Sequence, residues 1–313
     1  MKTPLSDKIA NMTVLNAEDI ASVKEQVDFV FCAVNLSKDA TREMEEAYAK
    51  AEIPVVSNNS ACRGIEDVPM LMPEINSDHL AVIETQKKRL GTKRGFIAVK
   101  PNCSIQSYVP MLTPLLKFGL SKVVATTYQA ISGAGKTFAE WPEMIDNVIP
   151  FIGGEEEKSE KEPLKIWGKV EDGEIKLANS PKFTAQCLRV PVSDGHMAAV
   201  FVSFKNKPSK EEILEAWSNQ KTSYGEQEGV YTFVDNVVAF LQGNVALIKI
   251  TFKHKFGFVI AVVINRVLSY VSDIPARFIG NKKSNILAVC NRGFCQITCN
   301  VHALCITAVA YFT

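Results

Sequence analysis

Two short apolar runs with a polar, helix-forming stretch between them constrain this chain more than any other feature. The runs are DFVFCAV (28–34) and IPVVS (53–57), and the stretch is DATREMEEAYAKAE (39–52). Each run is nearly continuous in apolar residues rather than alternating, the pattern of a strand buried on both faces. The intervening stretch sets Met44, Ala47, Tyr48 and Ala51 at helical spacing. A helix joining two such strands is a βαβ unit, which requires a parallel sheet with helices on its faces. GFIAV (95–99) adds a strand, and AEDIASVKEQV (17–27) and SDHLAVIETQKKRL (77–90) add helices. The fold class is therefore α/β.

Several classes of function are excluded at this point. The chain has 313 residues, enough for two domains, and its net charge is +1 with 22% charged residues. No basic surplus points to nucleic acid and no acidic tail is present. Eight cysteines in a chain of this length do not make a small disulfide scaffold. MKTPLSDKIANM lacks the apolar core of a signal peptide. FGFVIAVVI (256–264) is cut off by Asn265-Arg266 and is too short to cross a bilayer. A cytoplasmic protein with no membrane and no nucleic-acid partner is expected.

Cys103 follows strand 95–99 in AVKPNCSIQSYVP and precedes SIQSYVPMLTPLLKF, which reads as a helix weakened by Pro110 and Pro114. Ligands of open parallel sheets bind at the carboxyl ends of the strands. A cysteine in the first turn of a helix also feels backbone N–H groups and the helix dipole, which favour the reactive thiolate. Against this, free cysteines are mostly buried, inert core residues. His196 lies in RVPVSDGHMAAVFVSF, at the entrance of a strand and seven residues after Arg189. A histidine there is a base of suitable range for thiol chemistry on a carbonyl, or simply a hydrogen-bonded structural residue. His79, His254 and His302 have no such context and are expected to be structural. In GGEEEKSEKEP (153–163), Glu155 and Lys158 share one side of a helix, and QAISGAG (129–135) is a strand end followed by a turn whose backbone can approach a ligand.

Five separated segments, KPNCSIQ, SNNSACRGIEDVPMLMPEIN, QAISGAG, DNVIPFIGGEEEKSEKEPLKIWG and RVPVSDGH, together resemble the aspartate-semialdehyde dehydrogenase family. The resemblance runs from about residue 3 to about residue 220. It implies an incomplete doubly wound, Rossmann-like parallel sheet followed by an α+β catalytic and dimerisation domain. It implies NADPH-dependent reductive dephosphorylation of L-4-aspartyl phosphate to aspartate semialdehyde, for lysine, threonine and methionine synthesis. Cys103 matches the nucleophile that carries the acyl thioester, and His196 the acid–base residue. Gln129 matches the residue that orients the thioester carbonyl, and Asn102 flanks the nucleophile. Arg189 matches the clamp on the substrate α-carboxylate, Glu155 the partner of its amino group, and Lys158 and Arg63 the phosphate holders. A homodimer or homotetramer is implied. N-acetyl-glutamyl-phosphate reductase and glyceraldehyde-3-phosphate dehydrogenase share the cysteine–histidine logic. EEEKSEKEP and the spacing from Arg189 to His196 favour the aspartyl substrate.

Three departures accompany the resemblance. No G-x-x-G-x-x-G turn precedes residue 60, so residues 1–103 read as a dinucleotide-binding domain without its first βα unit. The expected cofactor contacts are Ala33, Val34, Asn35, Ser57, Asn58 and Gly133, with NADP held weakly. Cys62 stands where relatives often carry histidine, and no chemistry depends on it. Residues 104–222 read as the catalytic and dimerisation domain, and beyond them the resemblance and the charge fall away. That leaves a remnant or regulatory subunit, keeping the substrate pocket and dimer face without turnover, as the alternative function. Residues 223–313 read as an unassigned tail, of the kind a shifted or unrelated reading frame produces. Its Cys290, Cys295, Cys299, His302 and Cys305 are not spaced as a zinc site, and no metal is expected.

Overall fold

The computed structural model of the chain describes residues 11–220 and, beyond them, the backbone of four strands at Ile248–Phe252, Phe258–Val262, Ile286–Val289 and Thr307–Ala310. His254 and the cysteine-rich set from Cys290 to Cys305 lie outside the described residues.

Strands β1 (Val30–Ala33), β2 (Val55–Ser57) and β3 (Ile97–Val99) form the expected parallel sheet in that order, with Val30 opposite Val55 and Val55 opposite Ile97. Ile286–Val289 pairs antiparallel with β1. Helix α1 (Ile20–Lys24) is shorter than the stretch 17–27, because the Asp19 side chain accepts from Ser22 N–H and starts the helix there. Helix α2 (Lys38–Lys50), capped by Ser37, crosses from β1 to β2 and buries Tyr48 and Ala49. The start of β3 passes so close to α2 that a Cβ on Gly95 would lie 1.8 Å from the Ala49 carbonyl oxygen, so only glycine fits. The stretch 77–90 splits into a 3₁₀ segment, Ser77–Val82, and α3 (Ile83–Leu90), which stops at left-handed Gly91. Val30, Tyr48, Ile53, Val55, Val68 and Ile97 belong to the core of this half.

The second half is built on β4 (Leu120–Gln129), flanked by β7 (Lys182–Arg189) in parallel and β8 (Met197–Phe204) antiparallel. Between β4 and β7 come α4 (Glu155–Ile166) and a hairpin of β5 (Lys169–Glu171) and β6 (Glu174–Lys176). Helix α5 (Lys210–Ser218) follows β8 and starts with a capping box, in which Ser209 Oγ accepts from Glu212 N–H and Glu212 Oε2 accepts from Ser209 N–H. Leu112, Leu115, Val123, Val200, Ile213 and Trp217 are among the residues packed into its core. Phe258–Val262 and Thr307–Ala310 extend this sheet along β8.

One expected element is absent. After Cys103 the chain forms no continuous helix. It runs through a 3₁₀ turn (Ile105–Ser107), a single α turn (Val109–Leu112) and a second 3₁₀ segment (Thr113–Phe118). Pro110 and Pro114 lack the N–H that would bridge these pieces into one ladder. Among the described residues, no helix is long and apolar enough to cross a membrane.

Candidate active site

The link from β3 to Cys103 is held at each residue by backbone or side-chain bonds. Lys100 N–H donates to Ser57 O at 2.8 Å, and Asn102 N–H donates to Glu162 Oε2 at 2.6 Å. Asn102 Oδ1 accepts from Ser104 N–H at 2.8 Å and from Ser104 Oγ–H at 2.6 Å. This local turn leaves Cys103 half-buried on the wall of a cleft of about 320 Å³.

The opposite wall comes from the second sheet. The turn after β4 is stitched to the loop before β8, since Ile131 N–H donates to Val192 O at 2.9 Å and Ser132 N–H to Ser193 O at 3.2 Å. Ala130 N–H donates to His196 Nδ1 at 3.0 Å. A Cβ on Gly133 would lie 2.7 Å from His196 Cε1, and 2.8 Å from both His196 Nε2 and Arg189 Nη1. His196 therefore turns its Nε2 edge toward Gly133 in the cleft wall. With Nδ1 accepting, the neutral ring carries its proton on Nε2. Burial and the Arg189 guanidinium bring the pKa of His196 down to about 4.

Helix α4 supplies the third wall. Lys158 Nζ pairs with Glu155 Oε1 at 2.7 Å, and Glu155 Oε2 accepts from Asn102 Nδ2 at 2.9 Å and Gln129 Nε2 at 3.1 Å. Burial works to raise the Glu155 carboxyl, but Lys158 and the two amides outweigh it and hold it below the usual carboxylate range. Arg63 enters from the first sheet, donating from Nη1 to Glu162 Oε1 at 3.0 Å and from Nη2 to Asn58 O at 2.9 Å. Arg63 Nε is buried without a partner.

The cleft thus brings together Asn58, Arg63, Asn102, Cys103, Gly133, Glu155, Lys158 and His196. Gln129 and Arg189 stand behind its wall. Gln129 reaches it through Glu155, and Arg189 lies against Gly133 while donating to Ala130 O at 2.8 Å. Ala33, Val34 and Asn35 end β1 away from the lining, and only Asn35 of the three is exposed. Ser57 is buried, its hydroxyl is committed to Glu45 and its carbonyl oxygen accepts from Lys100 N–H at 2.8 Å, so it does not present itself to a ligand.

The helix-dipole argument for a thiolate needs correction. The segment beginning at Ile105 is a three-residue 3₁₀ turn, too short for a macrodipole. Burial pushes the Cys103 thiol up, and Lys100 and then Arg63 oppose it while Glu155 adds to it. Cys32, Cys62 and Cys187 are buried free thiols, and burial drives Cys32 to about 12. His79 is buried between Asn76 Nδ2 (3.0 Å) and Gly168 O (3.1 Å), a structural role.

Sequence reasoning missed Lys100, Ser60 and Ser132, which line the cleft, and Glu162, which ties Arg63 to the nucleophile link. Glu162 was within reach of a pattern argument: Glu155, Lys158 and Glu162 recur at i, i+3 and i+7 on one helix face. Nothing local marks the others.

Fold and cleft define a protein built on two sheets whose cleft is lined both by a cysteine beyond the carboxyl end of β3 and by a histidine at the entrance of β8. Comparison with known proteins agrees. The family model described as semialdehyde dehydrogenase, NAD binding domain, matches residues 2–83, and that described as semialdehyde dehydrogenase, dimerisation domain, matches residues 112–242. The second match runs past the boundary read at residue 222. An aspartate-semialdehyde dehydrogenase of Archaeoglobus fulgidus is 46% identical over 194 residues, 62% of this chain and 55% of that protein. One of Aspergillus fumigatus is 38% identical over 220 residues, 68% of this chain and 60% of that protein. The crystal structure of the Candida albicans aspartate-semialdehyde dehydrogenase with NADP superposes with a TM-score of 0.60 at 31% identity, covering 71% of this chain and 63% of that one. The chain belongs to the aspartate-semialdehyde dehydrogenase family. It spans 55% and 60% of the length of the two curated relatives named here.

Proposed function

We propose that this chain catalyses the NADPH-dependent reductive dephosphorylation of L-4-aspartyl phosphate to L-aspartate 4-semialdehyde. The supporting observation is the single cleft that gathers Cys103, His196, Arg63, Lys158 and Glu155. In this reading the Cys103 thiolate adds to the acyl carbon. The S–C bond forms as the C–O bond to phosphate breaks, leaving a thioester on Cys103. Arg63 and Lys158 hold the departing phosphate, where charge develops. Arg189 faces the α-carboxylate with the guanidinium edge not given to Ala130 O, and Glu155 takes the ammonium. Gln129 orients the thioester carbonyl and His196 Nε2–H donates to its oxygen. The nicotinamide, when bound, supplies the hydride that reduces the thioester.

The strand ends suit the ribose and nicotinamide end of that cofactor: Asn58 and Gly133 open into the cleft, and Asn59 Nδ2 braces β2 against β1 by donating to Val34 O at 2.9 Å. We assign residues 1–103 to cofactor binding and residues 104–222 to catalysis and self-association, as a homodimer or a pair of dimers.

The test is phosphate-dependent reduction of NADP with aspartate semialdehyde, run across NADP concentrations. Cys103→Ala is expected to lower the rate by about a thousandfold or more. Turnover at background in the unaltered chain, with the semialdehyde still bound, would identify a remnant or regulatory subunit instead.

A further inference from the structure

We propose that Glu162 is a positioning residue of the reaction, its single carboxylate setting the nucleophile and a phosphate-holding cation relative to one another. The proposal rests on reading Cys103 as the nucleophile and Arg63 as a phosphate holder. Glu162 is buried and is not among the residues that line the cleft, so it acts only through others. Its Oε1 accepts from Arg63 Nη1 at 3.0 Å, and its Oε2 accepts from Asn102 N–H at 2.6 Å. The first donor stands on the loop after β2, and the second on the link after β3, immediately before Cys103. Helix α4 holds each of these residues a second time. Lys165 Nζ donates to Arg63 O at 2.8 Å, and Glu155 Oε2 accepts from Asn102 Nδ2 at 2.9 Å. One helix thus grips Arg63 and Asn102 by main chain and side chain alike, and Glu162 is the group common to both grips.

A buried ion pair alone would need only the bond to Arg63. The bond to an uncharged N–H beside the nucleophile neutralises nothing, and it fixes the link instead. A carboxylate suits both tasks because it accepts at either oxygen, whereas a carboxamide offers one acceptor and one donor. The charge of Glu162 also works against anion affinity, since it takes up part of the Arg63 charge that a phosphate would meet. The carboxylate therefore serves placement, and its loss belongs in turnover rather than in phosphate binding. In Glu162→Gln the amide oxygen stays with the guanidinium, the costlier group to leave unpaired. The amide nitrogen then faces Asn102 N–H, donor against donor, and the link moves away with Cys103 on it.

The experiment is phosphate-dependent reduction of NADP with aspartate semialdehyde in the full chain, with inorganic phosphate varied. Glu162→Gln is expected to lower kcat by about ten- to a hundredfold, with KM for phosphate unchanged or lowered. Protection of Cys103 from iodoacetamide by phosphate, read on the Cys103 peptide by mass spectrometry, reports phosphate affinity without the cofactor. The half-protecting concentration is expected not to rise in the variant. Glu162→Asp, which keeps both acceptors on a shorter arm, is expected to give the same split between kcat and KM. A pair that serves only the fold would lower the thermal midpoint and leave kcat of the folded protein within about twofold of the unaltered chain. That result would overturn the proposal and leave the reading of the cleft intact. So would a KM for phosphate raised about tenfold at unchanged kcat, or failure of both variants to fold. An unaltered chain with neither turnover nor protection of Cys103 by phosphate would overturn that reading and the proposal with it.

Discussion

A methyl group on Gly133 would meet His196 Cε1 at 2.7 Å and Arg189 Nη1 at 2.8 Å, closer than a Cβ tolerates. Those two side chains cannot retreat freely. His196 is tied to Ala130 N–H and Arg189 to Ala130 O, both on the turn that carries Gly133 itself. Gly133→Ala is therefore expected to displace the imidazole or the guanidinium by a fraction of an ångström to an ångström. Misplacement on that scale lowers turnover by about a hundredfold. The fold should survive, because Gly133 is exposed and its φ is not in the left-handed region. Steady-state rates together with the thermal midpoint check this: a variant with full activity would show that the glycine serves the turn alone.

Helix α4 organises the site at the level of elements. Its residues Glu155 and Lys158 face the cleft, while Glu162 receives Arg63 from the first sheet and Asn102 N–H from the nucleophile link. Lys165, one turn further on, donates to Arg63 O at 2.8 Å and Ile65 O at 2.6 Å, and burial brings its pKa down to about 8. Pro163 cannot donate to Ser159 O, and that carbonyl accepts instead from Tyr108 OH at 3.4 Å. One helix thereby joins both sheets. Glu162→Ala would leave Arg63 buried without its carboxylate, and loss of one member of a buried pair costs about 3–5 kcal/mol. Urea unfolding measures it, and a loss below about 1 kcal/mol would show that the pair lends no support. The helix and its charged face were legible from spacing. That Glu162 serves Arg63 was not, because the two lie 99 residues apart.

The molecule as a whole carries a pH signature from these buried groups. His196 titrates near about 4 when folded, against 6.5 for an unperturbed histidine. Between these values the unfolded chain binds the proton more tightly, so stability rises with pH across the window and falls on acidification. Glu155, held below the usual carboxylate range, acts in the same direction at lower pH. The thermal midpoint is expected to drop as pH falls from about 6.5 towards about 4, the interval that separates the two histidine values. His196→Asn should flatten that decline, and an identical profile in the variant would assign the loss to other groups.

Short-range physics made part of this protein readable from residue order. Strand burial, helical spacing, the Ser209 capping box and the places of Cys103 and His196 at strand ends depend on neighbours within a few positions. Pro110 and Pro114 weakened the helix expected after Cys103 without removing the expectation, and that helix does not form. Partnership across the fold was decided only by packing. The imidazole's protonated nitrogen follows from an amide 66 residues away, and the Arg63–Glu162 pair from burial of two charges that meet each other and one backbone partner each, Asn58 O and Asn102 N–H. Such choices arise because desolvation must be matched by whichever donors and acceptors the tertiary fold delivers, and a linear pattern carries no record of that delivery.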